Sequence, residues 1–92
     1  MAWFVYIIQS EKDNSYYKGY SENPLKRLDQ HNNKESFYTS RKVPWKLVYV
    51  EELSTKADAL IREKNLKKAT IERIIGLINH PKNIVHRILR GE

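Results

Sequence analysis

Several residue types that carry chemistry in other proteins are scarce or missing in this chain. Cysteine is absent from the 92 residues, which excludes disulfides, thiolate nucleophiles and thiolate metal sites. The only histidines are His31, His80 and His86, and no two of them have the spacing of metal ligands, so a zinc site is not expected. The chemistry must therefore come from other side chains.

Long hydrophobic runs are also missing. No stretch approaches the roughly 20 apolar residues that a membrane-spanning helix needs. The apolar start, MAWFVYIIQS, has no basic segment before it and no small-residue cleavage site after it, so it reads as a strand and not as a signal peptide. We expect no membrane association, and the cytoplasm as the default location.

Charge is what the chain has in excess. Seventeen Lys and Arg stand against 11 Asp and Glu, giving a net charge of +6. Residues 54–92 carry 9 basic and 4 acidic groups, so most of the excess lies in the C-terminal part. A basic domain attracts polyanions, of which nucleic acid is the commonest. A merely solubilising surface is the alternative.

The order of elements predicts a small α+β domain with a three-stranded sheet and helices packed on it, in the order β-β-α-β-α-α. Residues 2–9, 15–20 and 46–52 have strand composition. Helices are expected from Pro24 to about Asn32, from a Ser54 or Thr55 cap to about Lys68, and after a Thr70 cap.

In the third helix Ile71, Ile74, Ile75 and Ile78 repeat at helical spacing, which predicts a buried stripe. Residues 1–80 are expected to form the domain. Residues 81–92 follow the break at Pro81 and are expected to form a short C-terminal extension, with residues 83–90 a candidate helix.

Glu63 is the most informative single residue. Ala59, Leu60 and Leu66 define the apolar stripe of the second helix, and at 100° per residue Glu63 falls inside it. A carboxylate directed at a core is costly unless it is paired or binds a metal. A structural ion pair with a nearby Arg or Lys is the alternative interpretation.

A second set of polar side chains lies around the first hairpin. Tyr6 on the first strand and Tyr17 on the second can lie close across the hairpin. Arg27 and His31 are four residues apart and share a face of the first helix. Two tyrosines, an arginine able to bind a phosphate and one inward carboxylate suit metal-assisted phosphodiester hydrolysis, although tyrosine is also an ordinary strand residue.

Taken together, the motifs resemble the GIY-YIG nuclease domain. FVY at residues 4–6 and YKG at residues 17–19 are followed by Arg27 eight residues after Gly19, and the segments FYTSRKVPWKLVY (37–49) and ALIREKNLKK (59–68) are similar to the small stand-alone branch. That branch is related to the N-terminal nuclease domain of the bacterial excision-repair endonuclease, so the resemblance implies a link to DNA repair.

The resemblance also implies roles for individual residues. Tyr6 and Tyr17 correspond to the tyrosines of the two tripeptides, with Tyr6 the preferred general base toward the attacking water. Arg27 matches the catalytic arginine, and His31 stands where many stand-alone members carry a histidine. Glu63 matches the ligand of a single Mg²⁺ (or Mn²⁺).

Further positions are expected to support these residues. Gly19 matches the closing glycine, where a bare backbone lets the substrate or a helix approach closely. Lys18 should face away from Tyr17, because neighbours alternate across a strand, and is a candidate phosphate contact. Arg41, Lys42 and Lys67 are the other candidate nucleic-acid contacts.

Three functions stay open from the sequence. The first is a metal-dependent endonuclease acting on DNA, with branched, damaged or single-stranded DNA as candidate forms and RNA as the alternative substrate. The second is a nucleic-acid-binding module with weak or lost catalysis. The third is a small interaction protein that recruits a partner protein for targeting, through the segment after Pro81.

Overall fold

A three-stranded antiparallel sheet forms the centre of the computed structural model, which describes residues 2–91. Met1 and Glu92, the ends of the predicted domain and extension, lie outside the described residues. The strands are β1 (Trp3–Ser10), β2 (Tyr16–Ser21) and β3 (Trp45–Leu53), in the spatial order β2-β1-β3. The helices are α1 (Pro24–Asn32), α2 (Lys56–Lys67), α3 (Ile71–Ile78) and α4 (Val85–Leu89), and one 3₁₀ turn spans Ser40–Lys42. The predicted α+β architecture and element order are confirmed.

The central strand β1 is covered on both faces. Val5 and Ile7 point to one face and join a cluster with residues of α2 and α3. Tyr6 and Ile8 point to the other face, where side chains of α1 and α4 pack. All four side chains are at most 1% exposed, which explains why this strand reads as a continuous apolar run. Burying each aliphatic side chain stabilises the fold by about 1.5–3 kcal/mol.

The longer helices begin where polar caps occur in the sequence. The side chains of Asn23, Thr55 and Thr70 accept hydrogen bonds from backbone N–H groups three residues later, at the starts of α1, α2 and α3. Each cap satisfies a donor that has no partner inside the helix. Pro24 at the first helical position of α1 lacks an N–H and suits that place.

Asn32 joins the end of α1 to the start of β3. Its Oδ1 accepts from the Trp45 backbone N–H at 2.6 Å, and its Nδ2 donates to the Trp45 carbonyl at 3.0 Å. This two-point contact fixes the C-terminal end of α1 against the sheet. Arg27 and His31 are thereby carried on a helix that is anchored at one end.

Asn83 has a similar role at the other end of the chain. Its amide donates to the carbonyls of Val48 and Ile78, and its Oδ1 accepts from the N–H groups of Val50 and Val85. The contacts hold α4 against β3, and Val85 is 5% exposed. The helix lies within the segment 81–92 that was predicted as an extension.

The isoleucine stripe of α3 is buried only in part. Ile74 is 1% exposed, but Ile71 and Ile75 are 67% and 45% exposed. The prediction that all four isoleucines form core is therefore wrong for these two. Only one narrow side of this two-turn helix meets the rest of the fold, so the outer part of its apolar face stays in solvent.

Candidate active site

One concave pocket of about 530 Å³ brings together four of the predicted site residues, Tyr6, Tyr17, Arg27 and Glu63. Its walls come from β1, β2, α1 and α2. Tyr6 and Tyr17 belong to the sheet face covered by α1, whereas Glu63 comes from α2 on the other face. The pocket therefore wraps around the edge strand β2.

Gly19 makes room for the Tyr6 ring. Tyr6 and Gly19 are direct cross-strand partners, and a Cβ added at Gly19 would lie 2.5 Å from the Tyr6 hydroxyl oxygen and 2.6 Å from its Cζ. Any side chain at position 19 would push the ring away. The close approach at Gly19 is thus made by a neighbouring tyrosine, whereas the prediction named the substrate or a helix.

Tyr6 belongs to a buried chain of hydrogen bonds. Its hydroxyl lies 2.9 Å from His31 Nε2, and His31 Nδ1 lies 2.8 Å from Thr39 Oγ1. We assign the Nδ1–H tautomer to His31, in which Thr39 Oγ1 accepts from Nδ1–H and its own hydroxyl is directed at the Ser36 carbonyl 3.4 Å away. His31 Nε2 is then the acceptor for the Tyr6 hydroxyl proton.

Burial controls the protonation of both groups in this pair. Burial, helped by the nearby Arg27 charge, lowers the pKa of His31 to about 4, so the ring is neutral near pH 7. Burial and the adjacent Tyr17 raise the pKa of Tyr6 well above that of a free tyrosine, while Arg27 acts in the opposite direction. Tyr6 therefore keeps its proton near neutral pH and directs it at His31.

Tyr17 packs beside the same histidine. Its ring centroid is 5.0 Å from that of His31 and 6.4 Å from that of Trp45, both in edge arrangements. These contacts fix the ring while it lines the pocket. Tyr17 thus forms a pocket wall next to the Tyr6–His31 pair.

Arg27 is held in the pocket without a carboxylate partner among residues 2–91. Its Nη1 donates to Gln30 Oε1 at 2.8 Å, and the guanidinium is half-buried. No acidic side chain among residues 2–91 forms an ion pair with Arg27 that would neutralise its positive charge. An anion in the pocket would meet a positioned and available guanidinium.

Glu63 lies where the periodicity of α2 predicts. The residue is 8% exposed and is buried together with Ala59 and Leu66 of the same helix. Its nearest cation is Lys67, one turn later, with Nζ 3.6 Å from Oε1 and a side chain 55% exposed. The ion pair is solvent-screened, and the Glu63 carboxylate faces the pocket.

The four predicted nucleic-acid contacts lie outside the pocket lining. Lys18 is the cross-strand partner of Ile7 and so lies on the face opposite Tyr17, as expected.

Two of the other candidates form ion pairs. Lys42 pairs with Asp13 at 3.3 Å, and Lys67 pairs with Glu63. Arg41 is exposed beside Lys42 in the 3₁₀ turn. Their contact with nucleic acid stays a prediction.

Some pocket residues escaped the sequence analysis. Asn23 and Gln30 share the Arg27 face of α1 at helical spacing, so the periodicity contained a signal for them. Glu22 and Lys26 also line the pocket. Thr39 had no comparable signal, because a hydroxyl in an irregular segment gives no periodicity that would place it against His31.

Comparison with known proteins defines the family. Residues 2–73 match the sequence model of the GIY-YIG catalytic domain. The chain belongs to the GIY-YIG family. The resemblance read from the two tripeptides is confirmed, and the chain has a nuclease-type domain, of a family whose members act on nucleic acid and generally depend on a metal ion.

Similar proteins agree with this placement. UPF0213 protein SSP2268 of Staphylococcus saprophyticus is 38% identical over 77 residues, covering 83% of this chain and 93% of the relative. UPF0213 protein YazA of Bacillus subtilis is 40% identical over 68 residues, covering 73% and 68%. The solution structure of UPF0213 protein BH0048 from Bacillus halodurans superposes with a TM-score of 0.56 at 26% identity, covering 89% of this chain and 87% of that one. This GIY-YIG domain is thus similar to small UPF0213 proteins.

No helix among residues 2–91 is both long enough and apolar enough to cross a membrane.

Proposed function

We propose that this GIY-YIG domain is an endonuclease that hydrolyses phosphodiester bonds in DNA, with one divalent ion held by Glu63. The observation that carries the proposal is the shared pocket of Tyr6, Tyr17, Arg27 and Glu63. These residues come from four elements, of which β1, β2 and α1 follow one another and α2 comes later in the chain, after β3. Their convergence on one concave surface is the arrangement that a phosphate-cleaving site needs.

In this proposal Tyr6 takes a proton from the attacking water while passing its own proton to His31 Nε2. The water oxygen forms a bond to phosphorus as the opposite P–O bond breaks, and the leaving oxygen takes a proton from solvent. Burial makes a lone Tyr6 phenolate unfavourable, and it also makes His31 a weak proton acceptor. The two transfers along the 2.9 Å bond must therefore occur together, and they depend on a water whose proton a bound divalent ion would acidify. Thr39 is the positioning residue that keeps Nε2 of His31 free to accept.

Arg27 binds the phosphate. Its guanidinium stabilises the negative charge that grows on the phosphate oxygens as the water attacks. Tyr17, fixed against His31 and Trp45, orients the attacking water or contacts a phosphate oxygen. A phosphate bound between Arg27 and Tyr17 would also lie close to the Glu63 carboxylate. Because both groups are negatively charged, a cation is needed between them.

The residues of the pocket fit a hydrated divalent ion. Mg²⁺ keeps several waters and uses one or two carboxylates, and the pocket offers the buried carboxylate of Glu63, with Glu22 at its rim. Among residues 2–91 no group of three or more His, Cys, Asp and Glu lies close enough to form a cage for a metal. When bound, the ion supplies positive charge beside the phosphate and acidifies water.

The experiment compares charge removal inside and outside the pocket. Glu63→Gln and Arg27→Ala should each lower single-turnover cleavage of a DNA panel with Mg²⁺ or Mn²⁺ by about 10²-fold or more. Glu72→Gln and Arg73→Ala remove the same charges from the exposed surface of α3 and should retain the wild-type rate. Equal rates for all four variants, purified identically, would assign the cleavage to a contaminant and refute the proposal.

A nucleic-acid-binding module with weak or lost catalysis is the second candidate. The small number of carboxylates around the pocket favours it, since among residues 2–91 Glu63 is the only one that is buried there. Binding whose log affinity falls steeply with log salt, without cleavage under any divalent ion, would select this function. DNA in preference to RNA, a place in DNA repair, a partner protein for targeting and the cytoplasmic location are also parts of the proposal and await their own tests.

A further inference from the structure

Two adjacent aromatic rings project from the segment between α1 and β3. Phe37 is 85% exposed and Tyr38 is 82% exposed, and their centroids lie 5.9 Å apart at an interplanar angle of 82°. Among the large hydrophobic side chains of residues 2–91, these two have the greatest exposure. We refer to Phe37 and Tyr38 as the aromatic pair.

Folding does not account for the aromatic pair. The backbone on its C-terminal side is fixed by Thr39, which is 1% exposed and whose carbonyl accepts from Trp45 Nε1 at 2.9 Å. Ser40 Oγ donates to the Phe37 carbonyl at 3.0 Å. The chain around the rings is anchored through Thr39 and Ser40, while the rings themselves belong to neither core cluster.

The charge around the aromatic pair is positive. Lys34 and Arg41 are exposed on either side of it in the sequence, and Lys12 donates from Nζ to the Arg41 carbonyl at 3.2 Å. These three cations outweigh the one carboxylate next to Lys34, that of the exposed Glu35. Exposed aromatic rings together with lysine and arginine are typical of surfaces that bind single-stranded nucleic acid. Lysine is depleted in protein–protein interfaces, so a nucleic-acid strand is the better match.

The position of the aromatic pair connects it to the pocket. Tyr38 directly precedes Thr39, whose hydroxyl lies 2.8 Å from His31 Nδ1, and His31 in turn lies 2.9 Å from the Tyr6 hydroxyl. The segment that carries the two rings is therefore attached, through Thr39 and His31, to a residue that lines the pocket. No other pair of exposed aromatic rings is present among residues 2–91.

We propose that Phe37 and Tyr38 stack against unpaired bases of the nucleic-acid strand, next to the phosphate that binds in the pocket. The inference rests on the proposed nuclease function and deepens it, because bases inside a duplex are already stacked and paired. The aromatic pair would then select single-stranded or flap-like substrates over continuous duplex. Stacking on each ring should tighten binding about 5- to 160-fold.

Binding is measured with the full chain in EDTA, so that cleavage does not interfere. The probes are a 12-nucleotide single strand containing 2-aminopurine and a blunt 12-base-pair duplex. The double variant Phe37→Ala/Tyr38→Ala should bind the single strand at least 10-fold more weakly and the duplex within 2-fold of wild type. Wild type should also quench the 2-aminopurine fluorescence, since stacking of the base on a ring does so directly.

Two controls define the role of the rings. The ring-preserving variant Phe37→Tyr/Tyr38→Phe should bind as wild type. Ile71→Ala/Ile75→Ala removes exposed apolar surface from α3 and should leave both affinities unchanged.

Several outcomes would overturn the stacking inference. The first two concern the double alanine variant: an unchanged affinity for the single strand, or an equal loss of affinity for strand and duplex. The third is the absence of fluorescence quenching by wild type. The fourth is a self-associated form of wild type that the double variant lacks, which would make the rings a contact between copies of the chain. The test is separate from that of the nuclease proposal. If Arg27→Ala cleaves as wild type while the stacking results hold, the nuclease proposal falls and the aromatic pair remains a single-strand binding site.

Discussion

Replacing Gly19 with alanine is expected to damage both stability and cleavage through a single contact. The new Cβ would lie 2.5 Å from the Tyr6 hydroxyl oxygen and 2.6 Å from Cζ, whereas non-bonded carbon atoms rest about 3.5–4.0 Å apart. The Tyr6 ring must therefore retreat by about 1 Å. Tyr6 is 1% exposed, so most of its ring contacts packed neighbours that would have to move with it.

The magnitude follows from what the retreat disturbs. Overpacking of a core costs about 1–3 kcal/mol, and the 2.9 Å bond from Tyr6 to His31 would lose its geometry, which costs about 1 kcal/mol more. The expected loss of about 2–4 kcal/mol lowers Tm by roughly 10–20 °C in a domain of this size. A 1 Å displacement of a group that acts on the substrate lowers the rate by about 10²-fold.

The assay combines urea unfolding and single-turnover cleavage on the same preparations. Gly76→Ala is the matched control, because nothing lies within 4 Å of a Cβ added at Gly76 in the middle of α3. That change should raise the free energy of unfolding by up to about 1 kcal/mol through helix propensity and leave cleavage unchanged. Wild-type stability and wild-type cleavage in Gly19→Ala would refute the reasoning, because the Tyr6 ring would then yield at no cost.

Three further predictions concern the buried polar groups. Thr39→Val should lower the cleavage rate by 10-fold or more, whereas Thr39→Ser should keep the wild-type rate. The ¹⁵N chemical shifts of the His31 imidazole should report a changed tautomer only in Thr39→Val. Identical shifts in both variants would contradict this prediction. The pKa of His31 is about 4 when folded and about 6.5 when unfolded, so the unfolded chain binds more protons between these values and stability falls as the pH drops. From pH 7 to pH 5 the free energy of unfolding should decrease by about 2 kcal/mol from this group, a component that His31→Gln should lack and His86→Gln should retain. Asn83→Ala should cost about 2–4 kcal/mol in urea unfolding, because four hydrogen bonds are lost, whereas the exposed Asn65→Ala should cost little; equal losses would show that α4 is not held by Asn83.

The sequence was most informative where a pattern had one physical solution. The continuous apolar run of β1 requires cover on both faces, and the structure has helices there. Pro24 preceded by an asparagine defines the start of α1, and the Asn32-Asn33 pair defines its end. Glu63 was placed correctly among Ala59 and Leu66, because helical periodicity assigns residues to a face whatever their polarity.

The same helical periodicity failed where the burial of a side chain depended on how another element of the fold packs against it. It assigns Ile71 and Ile75 to the apolar face of α3, but it does not determine how much of that face another element covers. Thr39 illustrates the same limit. Its role in the candidate site depends on a 2.8 Å contact with His31, eight residues earlier in the chain, which tertiary packing brings about. No local propensity of the sequence encodes that contact.

The contact of Asn32 with Trp45 has a consequence for how the pocket can change shape. Because α1 is attached to β3 at its C-terminal end, any widening of the pocket must swing the helix about that point. The rise of 1.5 Å per residue places Arg27 about 7.5 Å from the pivot and Asn23 nearly twice as far. His31, next to the pivot, would hardly move. Substrates of different width would therefore be accommodated at the Asn23 end, while the hydrogen bond between Tyr6 and His31 keeps its geometry.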